Sequence, residues 1–104
     1  MGFLSFLGFG PDIKTLLRKG AIIIDVRNVN EYDQGRVRGS LNIPIDRLQT
    51  NIQRIKGLDK PIITCSTGDS RSSEAVKILK RLGVQQVYNG GSWEKLLQMI
   101  NGQH

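Results

Sequence analysis

The stretch Pro61–Gly83, "PIITCSTGDSRSSEAVKILKRLG", predicts a buried strand that leads through a short loop into an amphipathic helix. Its first part, "PIITC", is a continuous β-branched apolar run, which is typical of a strand covered on both faces in a parallel sheet. Its last part, "SSEAVKILKRLG", repeats apolar side chains at helical spacing and predicts a helix that Gly83 ends. The stretch therefore favours an α/β fold.

The same alternation of helix and strand continues along the rest of the chain. Asn28 and Glu31 have the spacing of a capping box and predict a short helix, "VNEYDQ", that Gly35 ends. Ser92 is the expected N-cap of the last helix. This alternation predicts a mostly parallel sheet with helices on both faces, a three-layer α/β/α sandwich. The other predicted helices are "DIKTLLRK" and "IDRLQTNIQRIKG", and the other predicted strands are "AIIID", "SLNIP" and "QVYN".

The length and the cysteine count limit the domain organisation. A chain of 104 residues is long enough for one core, so we expect an apolar N-terminal tail at 1–10 and one domain at 11–104. The tail is too short to span a bilayer, and no integral membrane segment is expected. The single cysteine cannot form an internal disulfide, which favours a reducing compartment, the cytoplasm.

The charge of the chain favours anionic partners in general. The formal net charge is +6, but the basic residues are spread along the chain, with no block of like charge and no interleaved aromatic residues. Solvated helix faces explain most of these residues, and we do not expect nucleic-acid binding. A small anionic substrate would need only one or two of them.

Cys65 lies where the predicted strand ends and the loop into the next helix begins. In parallel sheets, ligands bind at the carboxyl ends of the strands, where backbone N–H groups and the positive end of the next helix point inward. We expect such a nest to stabilise a thiolate at Cys65. We expect Gly68 to allow an unusual backbone geometry, and Arg71 to add a bidentate donor for an oxyanion. The alternative is that Cys65 merely packs as a small buried side chain.

Other catalytic classes find little support in the sequence. The only histidine is His104, the last residue, so a Cys–His dyad and a zinc site are not expected. The glycine-rich loops that bind nucleotides are absent from the sequence.

Three motifs, in order, resemble the rhodanese homology domain from about Pro11 to Gln98. The first is "IIDVRNVNEYDQGRVRGSLNIPIDRL", the second is the strand–cysteine–glycine loop, and the third is "GVQQVYNGGSWEKL". The chain departs from the family pattern at Arg36, where histidine is usual, and at Ser40, where alanine is usual. The resemblance implies a rhodanese-like fold.

The resemblance also implies a sulfurtransferase. In that reaction Cys65 attacks the outer sulfur of an anionic donor such as thiosulfate, carries it as a persulfide, and passes it to cyanide, a thiol or a protein acceptor. This is covalent catalysis in an anion hole and requires no metal or organic cofactor. The residues implied to bind the substrate, largely through their backbone, are Ser66, Thr67, Gly68, Asp69, Ser70 and Arg71. The residues expected to support the loop are Asp25, Arg27 and Ser72.

The spacing of the loop leaves two alternatives open. Five residues separate Cys65 from Arg71, one more than in the commonest sulfurtransferase loop, and this count resembles rhodanese-fold phosphatases and arsenate reductases. Against that interpretation, Thr64 stands where those enzymes usually have histidine, and nothing in the sequence directs Asp69 to act as a general acid. A non-catalytic binding module is the second alternative. If Arg71 supports the loop instead of binding substrate, its expected partner is Glu74 or Asp25.

Overall fold

The computed structural model describes residues 12–102, which form a four-stranded sheet with helices on both faces. All the strand pairs are parallel and the strand order is β2-β1-β3-β4, so the predicted α/β sandwich is confirmed. The strands are β1 (Ile22–Asp25), β2 (Leu41–Asn42), β3 (Ile62–Ser66) and β4 (Val87–Ser92). The helices are α1 (Ile13–Arg18), α2 (Val29–Gln34), α3 (Ile52–Gly57), α4 (Asp69–Arg81) and α5 (Trp93–Asn101), with a 3₁₀ turn at Ile45–Arg47.

Two hydrophobic clusters, one on each face of the sheet, hold the layers together. On one face, Ala75 and Leu79 of α4 and Ile55 of α3 pack against alternate residues of the central strands. On the other face, Leu16 of α1 and Leu96 of α5 pack against the remaining residues of those strands. Because both faces are covered, the central strands consist of continuous apolar runs, as the sequence indicates.

The strand register brings the carboxyl ends of β1, β3 and β4 together. Asp25 of β1 lies beside Cys65 of β3, and Thr64 of β3 lies beside Asn89 of β4. The parallel arrangement therefore gathers polar side chains from separate parts of the sequence at one edge of the sheet.

The predicted capping signals are confirmed at two helices. The Asn28 side chain accepts from the N–H of Glu31, and the Glu31 side chain accepts from the N–H of Asn28, so α2 begins with a complete capping box. Ser92 Oγ accepts from the N–H of Lys95 at 3.3 Å and caps α5.

The predicted helix "IDRLQTNIQRIKG" is wrong in its first half. The chain forms the 3₁₀ turn, then irregular turns, and α3 begins only at Ile52. The carbonyl oxygen of Arg47 accepts from Thr50 Oγ1 at 3.1 Å and from Asn51 Nδ2 at 2.9 Å. Side chains that bond to a nearby backbone carbonyl in this way compete with regular helix, which explains the interruption.

The boundaries around Cys65 also differ from the prediction. Strand β3 continues through Ser66, and α4 begins at Asp69 instead of Ser72. Only Thr67 and Gly68 lie between strand and helix, so most of the predicted loop belongs to regular elements. Strand β4 is longer than predicted and continues through two glycines to Ser92.

The close packing of β4 on β3 explains why glycine is required at Gly90. A Cβ atom there would lie 2.5 Å from the carbonyl oxygen of Thr64 and 2.7 Å from Ile63 Cγ2. Gly91 has a φ of +71°, a backbone conformation that residues other than glycine rarely adopt. The Gly-Gly pair therefore allows β4 to reach the edge of the sheet where Cys65 lies.

The predicted tail at residues 1–10 and the single histidine, His104, lie outside the described residues. Within residues 12–102 the helices are all too short or too polar to cross a membrane.

Candidate functional site

Cys65 lies at the carboxyl end of the central strand β3 and is fully buried. Its side chain belongs to the cluster on the α1–α5 face of the sheet, together with Ile63 and Leu96. The turn of Thr67 and Gly68 follows one residue later and is partly exposed. The cysteine is therefore one residue beneath the surface of the edge at which ligands bind in this fold class.

Burial and the charge of Asp25 oppose ionisation of the thiol. Burial is the largest cause, and together with the charge and hydrogen bond of Asp25 it raises the pKa of Cys65 from 9.0 to about 12, although the charge of Arg27 acts in the opposite direction. The expectation of a stabilised thiolate is therefore wrong for this conformation. The physical reason is that the strand continues past Cys65, so its side chain packs in the core and not in the open nest that a longer loop would form.

Asp25 and Arg27 form a buried ion pair beside Cys65. Oδ1 of Asp25 accepts from Arg27 Nε at 2.9 Å and from the Arg27 backbone N–H at 3.0 Å, and Oδ2 accepts from Arg27 Nη2 at 2.7 Å. The guanidinium also donates to the carbonyl oxygens of Glu31 and Gly35 and lies 4.5 Å from the centroid of the Trp93 ring. The pair thus ties β1 to the start and the end of α2.

Arg71 contacts α2 rather than the thiol. Its Nη1 donates to Oε1 of Glu31 at 3.2 Å, and its Nη2 donates to Thr67 Oγ1 at 3.3 Å. The Thr67 hydroxyl in turn donates to Oε2 of Glu31 at 3.4 Å. The Arg71 hydrogen bond lowers the pKa of Glu31, with a smaller contribution from the Asn28 N–H, against the opposing effect of burial. Glu31 is therefore the partner of Arg71, and the expected partners Glu74 and Asp25 are wrong.

A chain of hydrogen bonds fixes the start of α4 against β3 and β4. Ser72 Oγ donates to Asn89 Oδ1 at 2.6 Å and lies 2.8 Å from Thr64 Oγ1. Asn89 Nδ2 donates to Oδ1 of Asp69 at 2.8 Å. This network holds Asp69 at the side of the turn. Ser72 is buried and bonded as a supporting residue would be.

The first turn of α4 begins without a side-chain cap. Gly68 is the N-cap and has no side chain to accept from Asp69, Ser70 or Arg71, whose N–H groups have no intrahelical acceptor. Gly68 itself has φ −147° and ψ −172°, an extended conformation open to any residue, so the special geometry expected for it is wrong. The Ser66 hydroxyl is buried and has no hydrogen-bond partner among the described residues.

The sequence predicts Cys65 and its neighbours as site residues. It does not predict the contacts that Glu31, Asn89 and Trp93 make with them. The capping box explained Glu31 completely, so a second role for its carboxylate had no separate signal. Asn89 had one: it follows the apolar residues of β4 at the carboxyl edge, where the rule for parallel sheets directs attention. The position of Trp93 over Arg27 depends on the packing of α5 and has no local signal.

Comparison with known proteins agrees with this architecture. Residues 11–98 match the family model of the rhodanese-like domain. The chain is 35% identical to YqhL of Bacillus subtilis over 69 residues, which is 66% of this chain and 54% of YqhL. It therefore spans about half the length of that relative.

Two solved structures show the same fold over most of the chain. CoADR-RHD of Bacillus anthracis is 32% identical with a TM-score of 0.69, and the match covers 85% of this chain and 15% of the other. The human single-domain sulfurtransferase TSTD1 is 26% identical with a TM-score of 0.68, and the match covers 83% of this chain and 89% of the other. With the family model matched over most of its length, the chain belongs to the rhodanese-like domain family.

Proposed function

We propose that the protein is a sulfurtransferase that carries sulfane sulfur on Cys65. The observation that carries the proposal is the position of this single cysteine, at the carboxyl end of the central strand and directly before the turn into α4. The free N–H groups at the start of α4 support it, because they can stabilise the negative charge of a persulfide. The similarity to a single-domain human sulfurtransferase supports it further.

The first half of the proposed reaction loads the cysteine. Cys65 Sγ attacks the outer sulfur of a donor such as thiosulfate, and the S–S bond of the donor breaks with its electron pair leaving on sulfite. The thiol proton passes to sulfite, so the products are a Cys65 persulfide anion and hydrogen sulfite. Because Cys65 is fully buried, the donor reaches the sulfur only after a local rearrangement of the chain around it.

The second half returns the cysteine to its resting state. An acceptor such as cyanide, a thiol or a protein thiol attacks the outer sulfur, and the persulfide S–S bond breaks. With cyanide the product is thiocyanate, and the Cys65 thiolate takes up a proton from water. The raised pKa of Cys65 favours this reprotonation, and the proton is lost again when the sulfur attacks the next donor.

The supporting residues have separate tasks in this proposal. Asp25 and Arg27 hold β1 and α2 against the cysteine, and Ser72 holds α4 in place. In the loaded protein we propose that the backbone of residues 66–71 surrounds the transferred sulfur with Arg71 at the rim, which requires Cys65 to leave its packed position in the core. We propose a reducing compartment such as the cytoplasm, because the single cysteine must remain reduced to act as a nucleophile.

The test is the intact mass of the protein after treatment with thiosulfate. We expect one added sulfur atom on the wild type, none on Cys65→Ala, and loss of the added sulfur as thiocyanate when cyanide is supplied. No adduct and no thiocyanate would contradict the proposal.

An aryl phosphate assay on the same preparations tests the phosphatase alternative. The five-residue spacing from Cys65 to Arg71 favours the phosphatase interpretation. Against it, the carboxylate of Asp69, the candidate general acid, accepts a hydrogen bond from Asn89. Release of phosphate that is lost in both Cys65→Ser and Arg71→Ala, without sulfur transfer, would establish the alternative.

A further inference from the structure

The groove above the turn carries more negative than positive side-chain charge. It has a volume of about 310 Å³ and is lined by Gly68, Asp69, Ser70, Arg71 and Glu74. Glu31 contacts Arg71, which lines the groove, and Thr67, which precedes it in the chain. Three carboxylates therefore accompany one guanidinium near the turn that follows Cys65, although the whole chain has a formal charge of +6.

The guanidinium of Arg71 is already engaged in this arrangement. One terminal nitrogen donates to Glu31 and the other to Thr67, so two of the five N–H donors of Arg71 are already in use and its charge is paired with a carboxylate. The ion pair with Glu31 is partly exposed, with side-chain exposures of 38% for Arg71 and 35% for Glu31. The negative charge of Glu31 therefore offsets the positive charge of Arg71 that a dianionic donor would use.

Glu31 is held in this position by its own helix. Its Oε1 atom accepts from the backbone N–H of Asn28 at 3.2 Å in the capping box and from Arg71 at the same time. Its pKa is lowered chiefly by the hydrogen bond from Arg71, so the carboxylate is ionised at neutral pH. The negative charge beside Arg71 is therefore fixed by the capping box of α2.

We infer that Glu31 is a specificity-determining residue of the Cys65 site, which disfavours dianionic donors such as thiosulfate relative to monoanionic sulfane-sulfur donors. The monoanionic class includes thiosulfonates and the persulfides of small thiols. This inference rests on the proposed sulfurtransferase function and names the class of donor that suits it. The same repulsion disfavours phosphate and arsenate dianions.

The test compares two donors that differ by one charge. Thiosulfate is a dianion, and methanethiosulfonate replaces one of its charged oxygens with a methyl group. In both, Cys65 attacks the outer sulfur and forms the same persulfide, and the leaving group is sulfite or methanesulfinate. Because the leaving groups also differ, discrimination by charge is measured by the change in the ratio of kcat/KM for the two donors between wild type and variant.

The variant Glu31→Gln removes the charge and keeps the geometry, since glutamine also serves at this position of a capping box. A unit charge about 6 Å from a dianion in water changes binding by about tenfold, and by about threefold for a monoanion. We expect kcat/KM to rise about tenfold with thiosulfate and about threefold with methanethiosulfonate, so the donor ratio shifts about threefold. A second variant, Glu31→Ala, should shift the ratio in the same direction.

Asp33→Asn is the matched control. Asp33 lies on the same helix, is exposed, and pairs with Arg36 at 3.9 Å without contacting Arg71. We expect it to leave the donor ratio unchanged. A purely structural role for Glu31 would change both donors by the same factor.

The possible outcomes separate the inference from the function on which it rests. If both Glu31 variants transfer sulfur with an unchanged donor ratio, the inference is overturned and the sulfurtransferase proposal stands. If neither donor loads Cys65 in the wild type, the sulfurtransferase proposal fails and the inference fails with it.

Discussion

Replacement of Asp25 by asparagine tests the buried ion pair that supports the site. The change keeps the shape of the side chain and removes its charge. Asp25 is fully buried and Arg27 is only 3% exposed, so the guanidinium would lose its only carboxylate partner among the described residues while remaining out of water. The amide nitrogen of asparagine would also face donor groups of Arg27. The unfolding free energy should therefore fall.

The size of the effect follows from the burial of the pair. Removal of one partner from a buried ion pair costs about 3–5 kcal/mol, because the other charge is left uncompensated. A domain of this size has a total stability of about 5–15 kcal/mol, so the loss is a large fraction. At about 4–8 °C per kcal/mol, the thermal midpoint should fall by at least about 12 °C.

The assay is urea unfolding followed by circular dichroism and by the fluorescence of Trp93. This residue is the single tryptophan of the chain, and its ring lies 4.5 Å from Arg27 Cζ, so its emission reports directly on the pair. The control is Asp33→Asn, which removes an exposed carboxylate and should cost less than about 0.5 kcal/mol.

A double variant separates the unpaired charge from the loss of contacts. Asp25→Asn combined with Arg27→Met leaves no buried charge, and it should be more stable than the sum of the two single losses predicts. A loss below about 1 kcal/mol in Asp25→Asn, with the slope of the urea transition unchanged, would refute the assigned role of the pair.

Three further variants and one chemical probe test the packing around Cys65. Gly90→Ala should lower the unfolding free energy by about 1–3 kcal/mol, because the added methyl group would overlap the carbonyl oxygen of Thr64; an unchanged urea midpoint would contradict this. Gly68→Ala should lower it by no more than about 1 kcal/mol, since a Cβ there meets no atom within 4 Å and only the weaker N-cap preference of alanine is lost. With its pKa raised to about 12, native Cys65 should react with iodoacetamide at pH 8 at least about 100-fold more slowly than the urea-unfolded chain, and equal rates would refute the burial of the thiol. Because the pKa of Cys65 is raised in the folded state, the stability that the thiol contributes is complete below its unfolded pKa near 9 and decreases as the pH rises toward 12. The loss of unfolding free energy between pH 9 and pH 12 should therefore be smaller in Cys65→Ala.

The amino-acid sequence by itself determined the fold class and predicted the candidate site at Cys65. Continuous apolar strands such as "PIITC" require cover on both faces, and their alternation with periodic helices leaves a parallel sheet as the arrangement that buries them. The capping residues Asn28 and Ser92 were also predictable, because a cap bonds within three residues along the chain. These features depend on local chemistry, and the sequence contains it completely.

Only the tertiary structure decided the chemical state of Cys65 and the partners of the charged side chains. Strand β3 pairs with β4 through Ser66, so the thiol of Cys65 lies in the core, where burial and the charge of Asp25 raise its pKa. The ion pair of Arg71 with Glu31 joins residues 40 positions apart in sequence. Such contacts depend on how helices pack across the edge of the sheet. A local sequence pattern carries no information about that packing. The pairing of Glu31 with Arg71 follows from the packing.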